Sequence, residues 1–317
     1  MATTDTRKVV IVGAGAVGTT FAYALQISGA AGEIVLVDLN RELAEAEALD
    51  LSHGLFFTPP VRIRAGGYEE CADADIVVIT AGASQEEGES RMDLVSENVK
   101  IVRSIVDSIT EHTREAILLM VTNPVDVLTY AALQASGYPP ERVIGSGTVL
   151  DTARFRYLLS RNCHIDPHNV HGYVLGEHGD TEVIAWSIAS IAGMRLEEKC
   201  GECPRRLEEC DREEIAEAVR NSAYHLISGK GATNWAVGLA LVRIVTAILR
   251  DEKSVLTVSS LIDGQYGLED VCLSIPAVLG SEGVEARITP GLSKQDRRAL
   301  EVSAEAIAEV LRKVDLK

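Results

Sequence analysis

The chain has 317 residues, 46% of them hydrophobic and 24% charged, a balance that fits a globular protein long enough for two domains. Its formal net charge of −17 argues against nucleic acid or an anionic membrane as the main partner, because both repel an acidic surface. No stretch approaches the ~20 apolar residues of a membrane helix, the start is a short polar tail, and six scattered cysteines read as reduced thiols, so the expected location is the cytoplasm.

Lys8–Val12 reads as a short apolar strand, followed by a glycine turn and a helix over 17–28. A second strand is expected over 34–37, and an Ala/Glu/Leu helix over 41–51. Further strands over 76–79 and 117–121 flank a helix over 92–109. Apolar strands alternating with helices predict a parallel sheet covered on both faces, with right-handed crossovers. The expected fold is therefore α/β: a Rossmann-type doubly wound domain over 1–146. Beyond it the texture changes to that of an α+β domain over 147–317. Helices are expected over 151–160, 215–227 and 235–249, and strands over 170–174, 183–191, 255–261 and 271–279. The last helix opens on Ser293 and Asp296, a capping pair, and stacks Leu300, Ile307, Leu311 and Val314 on one face.

Gly13-Ala14-Gly15-Ala16-Val17-Gly18 is a G-x-G-x-x-G run between a strand and a helix, and Asp38 follows at the end of the second strand. That context is the dinucleotide-binding fingerprint. Gly13 permits the turn, Gly15 lets backbone approach a pyrophosphate, and Gly18 allows close helix packing, while the helix amides at Val17 face the phosphates. Asp38 suits ribose hydroxyls and would repel a 2′-phosphate, which favours NAD over NADP.

Histidine is the natural proton carrier near neutral pH, and His178 lies in the polar, glycine-flanked turn Gly176-Glu177-His178-Gly179-Asp180. Asp151 and Arg154, spaced i, i+3, share one helix face. Asp151 is suited to orient the imidazole, and the fork of Arg154 matches a carboxylate, although a simple ion pair within the helix would use the same spacing. The polar run 81–91, ending in Arg91, follows a strand's carboxyl end, where open α/β sheets bind ligands, and suits a mobile lid.

With Thr122-Asn123-Pro124-Val125-Asp126 and Leu150-Asp151-Thr152-Ala153-Arg154-Phe155-Arg156, these stretches resemble the L-lactate/malate dehydrogenase family along essentially the whole chain, on its bacterial lactate-type side. The resemblance implies hydride exchange between NAD and a small 2-hydroxy acid. It makes His178 the proton donor and acceptor, with Asp151 orienting it. Arg154 clamps the substrate carboxylate, Arg91 polarises the carbonyl, and Asn123 lies beside nicotinamide and substrate. A cis Asn123–Pro124 peptide and a homotetramer are also implied. The family separates its substrates at the position of Gln85, where malate enzymes carry Arg. A neutral Gln leaves the second carboxylate of oxaloacetate unpaired, a penalty of several kcal/mol in a buried site, and so favours pyruvate and L-lactate. Thr233 matches the lactate-type pocket wall. Arg156 and His171 match a fructose 1,6-bisphosphate activator site, against the simpler view of two unrelated surface cations. Another 2-hydroxy-acid dehydrogenase, or a non-catalytic dinucleotide sensor, stays open as an alternative. Cys200, Cys203 and Cys210 suggest zinc only superficially, since no fourth ligand lies nearby, so no metal is expected.

Overall fold

A computed structural model describes residues 7–83, 91–196 and 209–317, without the side chains of Arg91, Glu209 and Cys210. The first half runs β1 (Lys8–Val12), α1 (Ala16–Ser28), β2 (Glu33–Val37), α2 (Arg41–His53), β3 (Arg62–Ala65), β4 (Ile76–Ile79), α3 (Arg91–Thr110), β5 (Ile117–Met120), α4 (Val125–Ser136) and β6 (Val143–Gly145). The second begins with α5 (Val149–Cys163), β7 (Val170–His171), β8 (Val174–Leu175), β9 (Val183–Ile184), β10 (Ser190–Ile191), β11 (Met194–Arg195), α6 (Glu209–Lys230) and α7 (Trp235–Leu249). It ends with β12 (Ser254–Leu256), β13 (Ser259–Asp263), β14 (Glu269–Ser274), β15 (Ala277–Gly280), β16 (Gly283–Arg287) and α8 (Lys294–Lys313).

The main sheet has strand order β14-β13-β6-β5-β4-β1-β2-β3. The six strands from the first half pair in parallel, and β13 and β14 extend the β6 edge antiparallel. The order in which strands are added reverses between the parallel β1 and β4, and that switch point opens a crevice at their carboxyl ends. Alternation along β1 sends Val9 and Ile11 to the core shared with α1 and α7, and Val10 and Val12 to the core shared with α3, α4 and α8. A third cluster, around Phe155, Leu159, Val174 and Ile215, joins α5 to α6.

Five elements were not anticipated, β11 and β16 of the second half among them. β6 is only three residues long, β3 carries two arginines, and α4 is buried nearly all round, so it lacks an amphipathic period. All four strands expected in the second half are broken: 170–174 divides into β7 and β8, and 255–261 into β12 and β13, each pair joining different sheets. The run 271–279 splits into β14 and β15 at Pro276, which has no N–H for a ladder, and the halves join different sheets. The run 183–191 splits at a 3-10 turn, Trp186–Ile188, where the Trp186 ring packs edge-on against Phe155 at 5.0 Å and the Ser187 amide donates to Asp296. Ser293 caps α8 as anticipated, accepting from the Asp296 amide at 3.1 Å. Among the described residues, no helix is long and apolar enough to cross a membrane.

Candidate active site

The switch point between β1 and β4 holds the glycine run. Gly13 has φ +108°, and a Cβ there would lie 2.7 Å from both the Ala81 amide and Thr80 Oγ1 at the end of β4. A Cβ on Gly18 would lie 1.9 Å from the Gly13 carbonyl, so only glycine lets α1 begin this close to the turn. Gly15 faces open space. It is the N-cap of α1, whose first turn has neither a side-chain cap nor an acidic residue, leaving its amides and positive dipole end for an anion. Asp38 stands beside the turn, accepting from the Ala14 amide at 2.7 Å and the Asn40 amide at 2.8 Å, with lone pairs left on both oxygens. An uncapped helix start, an open glycine and an adjacent carboxylate fit the pyrophosphate and ribose of a dinucleotide.

Next to this crevice, α5 is pinned to β8. Thr148 Oγ1 donates to the Val174 carbonyl at 2.5 Å, and Thr152 Oγ1 accepts from the Val174 amide at 2.9 Å. These two threonines, one turn apart, set the register that turns Asp151 toward the loop after β8. There Asp151 Oδ2 meets His178 Nδ1 at 2.5 Å, and Asp151 Oδ1 accepts from Arg154 Nη1 at 2.7 Å. The Asp151 side chain is 2% exposed, against 14% for Arg154 and 23% for His178. The carboxylate is thus sealed while the ring and the guanidinium keep an open side. Gly176, at φ +85°, starts the loop, and the Glu177 amide donates to Ser303 Oγ of α8 at 2.7 Å. The His178 amide donates to Asp126 Oδ2 at 2.7 Å.

Burial opposes charge on His178, but Asp151 overcomes it through its charge and hydrogen bond, holding the ring's pKa up to about 9. Burial likewise opposes ionisation of Asp151, and there His178 and then Arg154 win, lowering its pKa. Four residues past the ring, Glu182 is buried, and among the described residues its Oε1 has no hydrogen-bond partner. Burial, then the charge of Asp151, pushes its carboxyl up to about 8, so it is neutral at pH 7. Both shifts are upward, so each group stabilises the fold fully below its unfolded value and loses that contribution as pH rises through the folded value. The windows run from 4.5 to about 8 for Glu182 and from 6.5 to about 9 for His178. The melting temperature is expected to fall between pH 7 and 9, and Glu182→Gln, which has no proton to lose, should fall less steeply. Parallel melting curves for the two proteins across that range would refute a buried neutral acid here.

The remaining residues divide. Asn123 begins the cis Asn123–Pro124 peptide at the end of β5. Its carbonyl accepts from Asn98 Nδ2 at 3.3 Å, while Asn98 Oδ1 accepts from the Ala83 amide at 2.8 Å. Asn98, 1% exposed on α3, thereby ties the root of the 84–90 run to Asn123. The sequence reading missed it, and its only signal was a polar residue on an apolar helix face. Gln85 lies outside the described residues. Arg91 opens α3, and its side chain is also outside them. Thr233 sits half-buried between α6 and α7 and, among the described residues, makes no hydrogen bond to the His178 cluster. Arg156 turns away from that cluster: its Nε donates to the Gly172 carbonyl at 3.0 Å and its guanidinium lies over the Tyr173 ring at 5.4 Å. His171 is exposed on β7. Cys200 and Cys203 lie outside the described residues, and so does the side chain of Cys210. Among the described residues no His, Cys, Asp and Glu side chains gather in threes to hold a metal ion.

Comparison with known proteins matches this arrangement over its full extent. Residues 7–145 match the model of the lactate/malate dehydrogenase NAD-binding domain, and 148–315 that of the lactate/malate dehydrogenase alpha/beta C-terminal domain. The L-lactate dehydrogenase of Acetivibrio thermocellus is 51% identical over 98% of both chains, and that of Treponema denticola 54% identical over 96% of both. The ligand-bound crystal structure of the minor L-lactate dehydrogenase of Enterococcus mundtii superposes with a TM-score of 0.95 at 43% identity, covering 98% of this chain and 99% of that one. Sequence and fold agree over nearly the whole length, and the chain belongs to the lactate/malate dehydrogenase family.

Proposed function

We propose that the chain is an NAD-dependent L-lactate dehydrogenase that interconverts pyruvate and L-lactate. The observation that carries this reading is the double use of Asp151, which holds a proton-carrying ring at 2.5 Å and a carboxylate-binding fork at 2.7 Å. NADH, when bound, supplies the hydride to the keto carbon. With Nδ1 engaged by Asp151, His178 presents Nε2 to the keto oxygen and delivers its proton there, or takes one back in the oxidation direction. Arg154 receives the substrate carboxylate and fixes the carbonyl relative to the ring. Arg91, carried in from the start of α3, adds positive charge where the alkoxide develops. Gln85 selects a methyl group over a second carboxylate, with Asn123 and Thr233 lining the same pocket. The division of labour is then a cofactor domain over 1–146 and a substrate domain over 147–317.

The direct test is NADH oxidation with pyruvate and with oxaloacetate. Pyruvate is expected to win on kcat/KM, and Gln85→Arg to move the preference toward oxaloacetate by at least about tenfold, since it pairs a charge that is otherwise buried unmatched. A wild type that prefers oxaloacetate, or a variant with unaltered preference, overturns the assignment.

A second layer of this reading is activation by fructose 1,6-bisphosphate at Arg156 and His171 in a homotetramer. It is favoured by the Arg156–Gly172 hydrogen bond, which brings the guanidinium beside the residue that follows exposed His171. Exposed Phe56, Phe57, Trp235 and Leu239 suit contacts between copies. Pyruvate saturation should shift to lower concentration when the bisphosphate is added. An unchanged half-saturation point removes the activator site.

A further inference from the structure

The Thr122–Asp126 run leaves one residue without a role in the reading above. Asp126 lies in the first turn of α4, only 2% exposed, and its Oδ2 accepts the His178 amide at 2.7 Å. The Ser259 hydroxyl of β13 is its polar neighbour, but the other oxygen, Oδ1, is also buried and makes no well-formed hydrogen bond among the described residues. A backbone N–H needs only one neutral acceptor, and a buried carboxylate costs several kcal/mol of desolvation unless a positive group faces it. The nearby positive group is the His178 ring. We infer that Asp126 is a positioning residue that holds the His178 loop through the backbone and, through its own charge, supports the protonated ring alongside Asp151.

The surroundings agree with this role. Burial pushes the Asp126 carboxyl up to about 6, still below neutrality, so it is ionised at pH 7. Asp126 also raises the pKa of His178, after Asp151 and ahead of Glu182. The groups that bear on this pair are the Ser259 hydroxyl of β13, which favours the ionised Asp126, Asp151 and Arg154 of α5, Glu177 and Glu182 before and after His178 in the chain, Arg220 of α6 acting on Glu182, and Cys272 of β14, whose thiol burial keeps neutral. Asp151 therefore holds the ring by its nitrogen and Asp126 holds the loop by its amide. Each carboxylate comes from the first turn of a different helix, which fixes the ring relative to both halves of the molecule.

The inference rests on His178 being the proton carrier of the proposed reaction, and its test reads the ring directly. Asp126→Asn keeps an acceptor for the amide and removes the charge. By NMR of the ring Cε1–H resonances in the cofactor-free protein, the His178 titration midpoint is expected to move to lower pH by about half a unit or more. The alkaline limit of kcat/KM for pyruvate should move with it. A folded Asn variant with an unmoved midpoint overturns the role of Asp126 and leaves the dehydrogenase reading standing. A wild type inactive on pyruvate sinks that reading while the ring titration still reports on Asp126. Should the variant not fold, the wild type decides: the Asp126 13Cγ resonance is expected to step at the His178 midpoint, and passing through that pH unmoved overturns the inference.

Discussion

Replacing His178 with glutamine is expected to lower kcat/KM for pyruvate by about 10,000-fold at neutral pH and to leave NADH binding unchanged. A positioned general acid contributes about 100- to 10,000-fold, and a charged donor to the developing alkoxide adds to that, so the upper end of the range applies. Glutamine fills a similar space and its side chain can still meet Asp151, but it cannot release a proton to substrate. The cofactor cradle at Gly13, Gly15 and Asp38 belongs to other elements, so fluorescence titration of NADH should give the same Kd. The pH dependence has a definite sign. With the ring's pKa near 9, the wild type should lose keto-acid reduction as pH rises past about 9, because the proton to be delivered is gone. Oxidation of the hydroxy acid needs the free base and should rise toward the same pH. The residual activity of His178→Gln should lack both limbs. A variant that keeps more than a tenth of wild-type turnover shows that the proton comes from elsewhere.

How much of this was legible beforehand follows from the range of each interaction. The proposed cofactor cradle is local: Gly13, Gly15 and Gly18 answer to a single strand–turn–helix, and Asp38 follows at the end of the next strand, so spacing alone marked them as candidates. The pairing of His178 with Asp151 spans 27 residues and depends on Thr148 and Thr152 gripping β8, which no periodicity reports. The resemblance to a family supplied that pairing. Asp126 and Glu182 stayed illegible for a further reason. Each is an ordinary acidic residue in the sequence, and only tertiary burial makes its carboxyl unusual. Strand boundaries failed where a local event outweighed alternation, at Pro276 and at the Trp186 ring. α4 was missed because complete burial erases the polar stripe by which a helix is recognised.

The spacing of Asp151 and Arg154 left open whether the arginine serves the helix or the substrate, and Arg154→Gln separates the two. An ion pair serving only the helix contributes little, about 0.3–0.5 kcal/mol at exposed sites, and its loss would not touch kinetics. A carboxylate clamp in a sheltered cleft is different, because removing it leaves the substrate's charge without a partner, a loss of several kcal/mol or about 1,000-fold, seen mainly in KM for pyruvate. Arg154→Lys keeps the charge but loses the planar fork, so it should fall between the two. The shared carboxylate adds a second signature. Arg154 helps keep Asp151 ionised, yet it also competes with His178 for the field of that charge. Without Arg154, Asp151 bears on the ring alone, so the alkaline limit of reduction should move to higher pH even as KM rises. A KM that changes less than tenfold, or a lysine variant worse than glutamine, would return Arg154 to the role of a helix ion pair and take the substrate clamp out of the proposed mechanism.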